Sequence, residues 1–172
     1  MKIKKLKVDY KTPLKTQLKK LGIKNYLDLN EVTNLYPQKK TIYDIETGEE
    51  MLGKSPKECE EEFKKQGRRG LNIYEGLAII RECPNILEKY YIDLVGSRGE
   101  RVGKVPNVCL RGGVSRLGWG SLDGSDGRWG SASKGIIINK SIFSEQTIGF
   151  LDLFGTLELN GYKYEIKIKS IK

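Results

Sequence analysis

The 172-residue chain contains no histidine. That removes Ser-His-Asp and Cys-His machinery and the commonest general base at neutral pH. Cysteine is scarce too: Cys59, Cys83 and Cys109 are odd in number, widely spaced and never in a C-x-x-C arrangement. Without histidine to complete a ligand set they exclude the usual zinc sites, and they read as buried thiols of a reducing compartment. No apolar run approaches the length of a membrane span. The N-terminus, MKIKKLKVDYKTPLK, lacks the apolar centre and small-residue cleavage site of a signal peptide. These absences predict a cytoplasmic protein with no enzymatic activity, no bound metal and no cofactor.

What is present is charge. Charged residues make up 31% of the chain and apolar ones 38%, with a mean hydropathy of −0.48, the balance of a soluble protein with one core. The formal net charge of +9 is unevenly placed. Residues 1–24 carry nine lysines against Asp9 alone, whereas residues 25–95 are net acidic. Residues 96–135 and the C-terminal segment are basic again. Such separation predicts an acidic partner.

The stretch from Tyr90 to Gly135 holds eleven of the 20 glycines and both tryptophans. Its apolar pairs alternate with turn residues, which predicts short strands joined by tight turns. Trp119-Gly120-Ser121 returns as Trp129-Gly130-Ser131, with Asp123-Gly124 and Asp126-Gly127 between. The repeat predicts neighbouring strand ends with similar surfaces.

The segment before it is read as mainly helical. Lys2–Val8 is either a short strand or a disordered basic arm. Thr12-Pro13 reads as an N-cap and first helical residue, with Leu14, Leu18 and Leu21 as an apolar stripe and Gly22 as the stop. A short helix is expected over Tyr26–Leu35, and a hairpin pairing Thr41–Ile45 with Glu50–Leu52 about Thr47-Gly48. Ser55-Pro56-Lys57-Glu58 and Asn72-Ile73-Tyr74-Glu75 have the spacing of capping boxes. Pro84 restarts a last turn through Ile86 and Leu87. After residue 135, Gly135–Asn139 and Ile148–Phe154 are strand candidates. Thr156–Leu159 and Tyr162–Ile168 flank Asn160-Gly161 as a hairpin. The fold class expected is α+β: a basic arm or helix over residues 1–24, then one domain over 25–172 with its helical part at 25–90 and a mainly antiparallel, Gly-rich sheet at 91–172.

Three motifs touch on chemistry. Gly48-Glu-Glu-Met-Leu-Gly53-Lys54-Ser55 matches the P-loop pattern, with Asp93 and Asp152 as metal-holding aspartates. Two carboxylates in the loop and Pro56 after Ser55 oppose a phosphate cradle, so hairpin plus capped helix is preferred. Ser131-Ala-Ser133-Lys134 contains S-x-x-K, but among turns rather than on the helix that acyl-transfer enzymes require. Arg68-Arg69, Arg98, Arg101, Arg111, Arg116 and Arg128, interleaved with Trp119 and Trp129, have the composition of a groove where guanidinium groups meet phosphate and indoles stack on bases. The competing expectation for both tryptophans is simple core packing.

The run LGKSPKECEEEFKKQGRRGLNIYEGLAIIRECPNILEKYYIDLVGSRG, followed by VPNVCLRGG and GRWGSASKG, resembles a group of uncharacterised bacterial or phage-type proteins sharing a YIDLxGSR…GSAS pattern. The resemblance spans about residues 50–135 and implies a reusable domain, with no activity and no assigned site. The function expected is that of a small basic binding protein contacting nucleic acid or a nucleic-acid-handling protein. Its contacts would be Lys2, Lys4, Lys5 and Lys7 with Arg98, Arg101, Arg111, Arg116, Trp119, Arg128 and Trp129. One alternative is a phage or mobile-element inhibitor acting purely through protein contacts. The other is a nucleotide-binding enzyme using Gly48, Gly53, Lys54 and Ser55.

Overall fold

The computed structural model describes residues 1–100, 103–136, 156–159 and 162–165. In chain order the elements are β1 (Lys2–Lys7), α1 (Leu14–Lys20), β2 (Lys24–Asn25), β3 (Thr33–Asn34), β4 (Thr41–Glu46), α2 (Pro56–Lys65), β5 (Arg68–Gly70), α3 (Ile73–Glu82) and α4 (Ile86–Lys89). They continue as β6 (Tyr91–Asp93), β7 (Ser97–Arg98), β8 (Lys104–Arg111), β9 (Val114–Ser121), β10 (Trp129–Ser131), β11 (Ser133–Gly135), β12 (Thr156–Leu159) and β13 (Tyr162–Glu165). The chain is α+β, with mostly antiparallel pairing.

Local signals account for the helices. Ser55 caps α2: its Oγ accepts from Glu58 N at 3.3 Å, and the Glu58 carboxylate accepts from Ser55 N at 2.7 Å. Asn72 and Glu75 repeat this at α3, both bonds at 3.0 Å. Glu75 does more, because its fully buried carboxylate also takes two bonds from the Arg69 guanidinium, at 2.6 and 2.9 Å. A bidentate pair of this kind ties β5 to the start of α3. At α1 the boundary moves by one residue: Pro13 is the N-cap, and the Asp9 carboxylate accepts from the Lys11 and Thr12 amides.

Long-range pairing rearranges the rest. The four-stranded sheet runs β1-β4-β11-β5, so three of its strands precede Tyr90 rather than follow it. The lysine-rich arm is β1, paired with β4 from Lys2↔Glu46 to Lys7↔Thr41, because Leu6 and Val8 bury in the core beside Ile42 and Ile45. The helix expected over Tyr26–Leu35 is absent; that stretch holds one 3-10 turn at Leu29–Glu31 and strand β3, which pairs with β7. The hairpin expected about Thr47-Gly48 is also absent. Gly48 takes a left-handed φ of 108° and leads into a 3-10 turn, Glu49–Met51. A side chain there is impossible, since a Cβ on Gly48 would stand 2.8 Å from the Gly130 carbonyl oxygen.

The five-stranded sheet runs β10-β6-β8-β9-β2. Its two faces follow from the period of two. Ile92, Val108 and Leu117 point into the main core, shared with Ile73, Leu77 and Ile80 of α3 and Leu18 of α1. The other face carries Asp93, Asn107 and Gly118 in register. At one end this second face is covered by α2, where Met51, Cys59, Phe63, Val95 and Val105 form a smaller core. Among the described residues the other end stays open. The Trp-Gly-Ser repeat divides between strands that are not neighbours, and Trp119 sits on the main-core face while Trp129 sits on the open one.

β12 and β13 pair antiparallel from Thr156↔Glu165 to Leu159↔Tyr162, the expected hairpin. Its Asn160-Gly161 tip, the strand candidate Ile148–Phe154 and most of Gly135–Asn139 lie outside the described residues. No helix among the described residues is long and apolar enough to cross a membrane.

Candidate functional site

The open end of the five-stranded sheet forms a cleft of about 400 Å³. Four strands build it, and its lining is ordered in rows. The deepest is Asp93 of β6, Asn107 of β8 and Gly118 of β9. Two residues outward, about 7 Å along the strands, come Cys109 and its partner Arg116. Trp129 lies in register with Tyr91 at that level, the two rings meeting edge to face at 4.9 Å. Arg111 stands two residues further out on β8. One wall is Tyr26, fixed by its amide bonding to the Leu117 carbonyl at 2.9 Å and left 59% exposed. The Arg116 guanidinium stacks over that ring at 5.6 Å, while its buried Nε has no hydrogen-bond partner among the described residues. The other wall is the loop Leu122–Arg128. It is pinned to α2 by Lys57 N donating to Leu122 O at 3.0 Å, and it is turned by Asp126, which accepts from Arg128 N.

The floor is chemically unusual. Asp93 is 3% exposed, and burial pushes its carboxyl up to about 7. Only the Asn107 amide, donating to it, pulls the other way. The floor is reachable because β9 carries glycine here. A Cβ on Gly120 would stand 2.7 Å from Asn107 Nδ2 and 3.3 Å from Asp93 Oδ1. A Cβ on Gly118 would meet only Asn107 Oδ1, at 3.7 Å, and would project into the cleft. The cleft thus presents cations and aromatic rings outward and oxygen acceptors at its base.

Four of the predicted contacts converge here. Arg111, Arg116 and Trp129 line the cleft; Trp119 touches its edge, but its ring rests on the main core and against Gly99. Arg128 is adjacent, stacked at 4.6 Å over Tyr91 and bonded to the Glu88 carbonyl. The others lie apart. Arg98 pairs with Glu60 at 2.6 Å and donates to the Val95 carbonyl, so it fastens β7 to α2. Lys2, Lys4, Lys5 and Lys7 lie on β1, an edge strand of the other sheet, and none lines the cleft. Lys2 pairs with Glu50, and lysines on such an edge discourage pairing with a second chain. Arg101 lies outside the described residues.

The Gly48–Ser55 segment has its amides engaged internally. Gly48 and Glu50 donate to the Glu46 carboxylate, Gly53 to the Trp129 carbonyl, Lys54 to Met51 and Ser55 to Glu58. A phosphate cradle needs those N–H groups converging on an anion. Among the described residues no cluster of three or more Cys, Asp or Glu side chains has the arrangement of a metal site.

Sequence reasoning named Asp93 only as a metal ligand of the P-loop alternative, read Asp126 only as a turn residue, and missed Tyr26 and Asn107. Asp93 was the legible one, an acid inside the apolar run Tyr90–Val95. Tyr26 was hidden by its assignment to a helix.

The comparisons with known proteins carry no activity over to this chain. Neither a curated protein nor a solved structure matches it. A family model does, over residues 4–128, taking in β1 and α1 as well as the cleft strands β6, β8 and β9. The chain therefore belongs to the family of unknown function DUF5701.

Proposed function

We propose that the protein binds single-stranded nucleic acid, without catalysing a reaction, by taking one nucleotide of the strand into the β6–β8–β9–β10 cleft. The observation that carries this is the meeting of Arg111 and Arg116 with the rings of Tyr26 and Trp129 at one opening. Guanidinium groups favour phosphate, and a base stacks on an exposed ring whatever its identity. A cleft of about 400 Å³ has room for one splayed-out nucleotide and none for a duplex. The +9 net charge and the lysines of β1 add long-range attraction rather than contacts. The three free cysteines fit a reducing cytoplasm, and the YIDLVGSRG and GSASKG segments fit a bacterial or phage-type source.

Fluorescence anisotropy with a labelled heptanucleotide across a salt series tests this. Affinity should fall linearly on a log–log plot, with a slope of about −0.7 for each phosphate neutralised on a single strand. Arg111→Ala/Arg116→Ala should make that slope shallower by one to two contacts. Tyr26→Ala, at an exposed ring, should weaken binding about tenfold through lost stacking with no change in melting temperature. Flat, negligible binding of DNA and RNA at low salt would defeat the proposal and bring a protein partner forward.

A further inference from the structure

The floor of the cleft has no part in phosphate binding or stacking, yet it holds an acid that is 3% exposed. Asp93 comes up from β6, held by the Asn107 amide, and both reach the cleft only because Gly118 and Gly120 leave β9 without side chains. The Asn107 amide nitrogen spends one N–H on Asp93, and Asn107 Oδ1 with the ionised Asp93 carboxylate supplies the acceptors of the floor. A floor of acceptors calls for a ligand edge made of donors.

We infer that this floor is a guanine subsite, in which Asp93, ionised in the complex, accepts from the N1–H and N2–H groups of the base while Arg116 and Arg111 hold the phosphate. Among the four bases only guanine presents two adjacent N–H donors on its Watson–Crick edge; adenine and cytosine each set one donor beside an acceptor. Uracil and thymine offer a single donor between two acceptors. The rows of the cleft have matching polarity. The acid lies deepest, Tyr26, Trp129 and Arg116 share the next level, and Arg111 stands on the outermost row. A guanine nucleotide has that same order of donor edge, flat ring and anion. The inference rests on the nucleic-acid reading for its ligand class and adds the base that is chosen.

The test uses the full chain, heptathymidylates carrying G, A, C or T at the centre, and the free 5′-monophosphates of all four bases. The guanine strand should bind about tenfold more tightly than the other three, the discrimination expected of one bidentate contact. Asp93→Asn, which removes an acceptor and keeps the shape, should erase that preference while leaving the salt slope unchanged. Gly118→Ala, whose Cβ makes only an ordinary contact with the protein, should lower guanine affinity without altering the melting temperature. Equal binding of all four strands, or a guanine preference that survives Asp93→Asn, overturns the inference and leaves the strand-binding reading standing. Preferential binding of guanosine monophosphate with no binding of any strand upholds the guanine site and overturns the strand reading. No binding of either kind overturns both.

Discussion

Asp93 shows at the scale of one residue how burial sets chemistry. Its carboxyl is raised from 3.8 to about 7 by desolvation, with the Asn107 amide as the only counterweight. The folded state therefore keeps a proton that the unfolded chain has already released. Between about pH 4 and pH 7 the unfolded state binds fewer protons, so stability falls as pH rises and levels off above the folded value. The full penalty approaches roughly 4 kcal/mol at about 1.4 kcal/mol per unit. Asp93→Asn should shrink the decline, so that urea denaturation at pH 5 and pH 8 gives a clearly smaller difference for the variant than for the parent. The remainder comes from Glu46, whose carboxyl is also raised by burial. Parallel pH profiles for the two proteins would refute this. Glu75 is the contrast: equally buried, but held by Arg69 and by the Asn72 amide.

At the scale of elements, what was legible in the sequence was local. Ser55…Glu58 and Asn72…Glu75 are four-residue codes whose partners lie within one helical turn, and both capping boxes form. Two outcomes follow in urea unfolding. Ser55→Ala should cost about 1 kcal/mol through loss of the cap. Glu75→Gln should cost about 3 kcal/mol or more, because it also leaves the Arg69 guanidinium buried without its countercharge. The strands were less legible for a reason of distance. Whether Lys2–Lys7 is an arm or a strand depends on β4, some forty residues away. The Thr47-Gly48 turn signal was real, but the glycine is there to let Gly130 approach from another sheet. Two identical Trp-Gly-Ser triplets acquire opposite orientations because β9 and β10 pair with different neighbours. Tyr26 is placed by one backbone bond to Leu117, a partner that no pattern near residue 26 announces.

At the scale of the molecule, the two sheets divide the labour. The four-stranded sheet carries the lysine-rich edge, and its arginines are occupied: Arg68 bridges Asp44 and Ser133, and Arg69 holds Glu75. The five-stranded sheet buries the middle of one face in the main core and one end of the other under α2, and among the described residues the uncovered end holds the cleft with the unpartnered Arg116 Nε. On the proposed function, net charge would bring an anionic strand near and the cleft would decide where it stays. This placement is the central claim, and an amide and indole NMR titration with a single-stranded heptanucleotide tests it most directly. The account predicts that the Trp129 indole N–H and the Arg116, Gly118 and Gly120 amides shift progressively and saturate together, while the amides of Lys2–Lys7 stay in place. Shifts confined to Lys2–Lys7 with the Trp129 indole unmoved would contradict it.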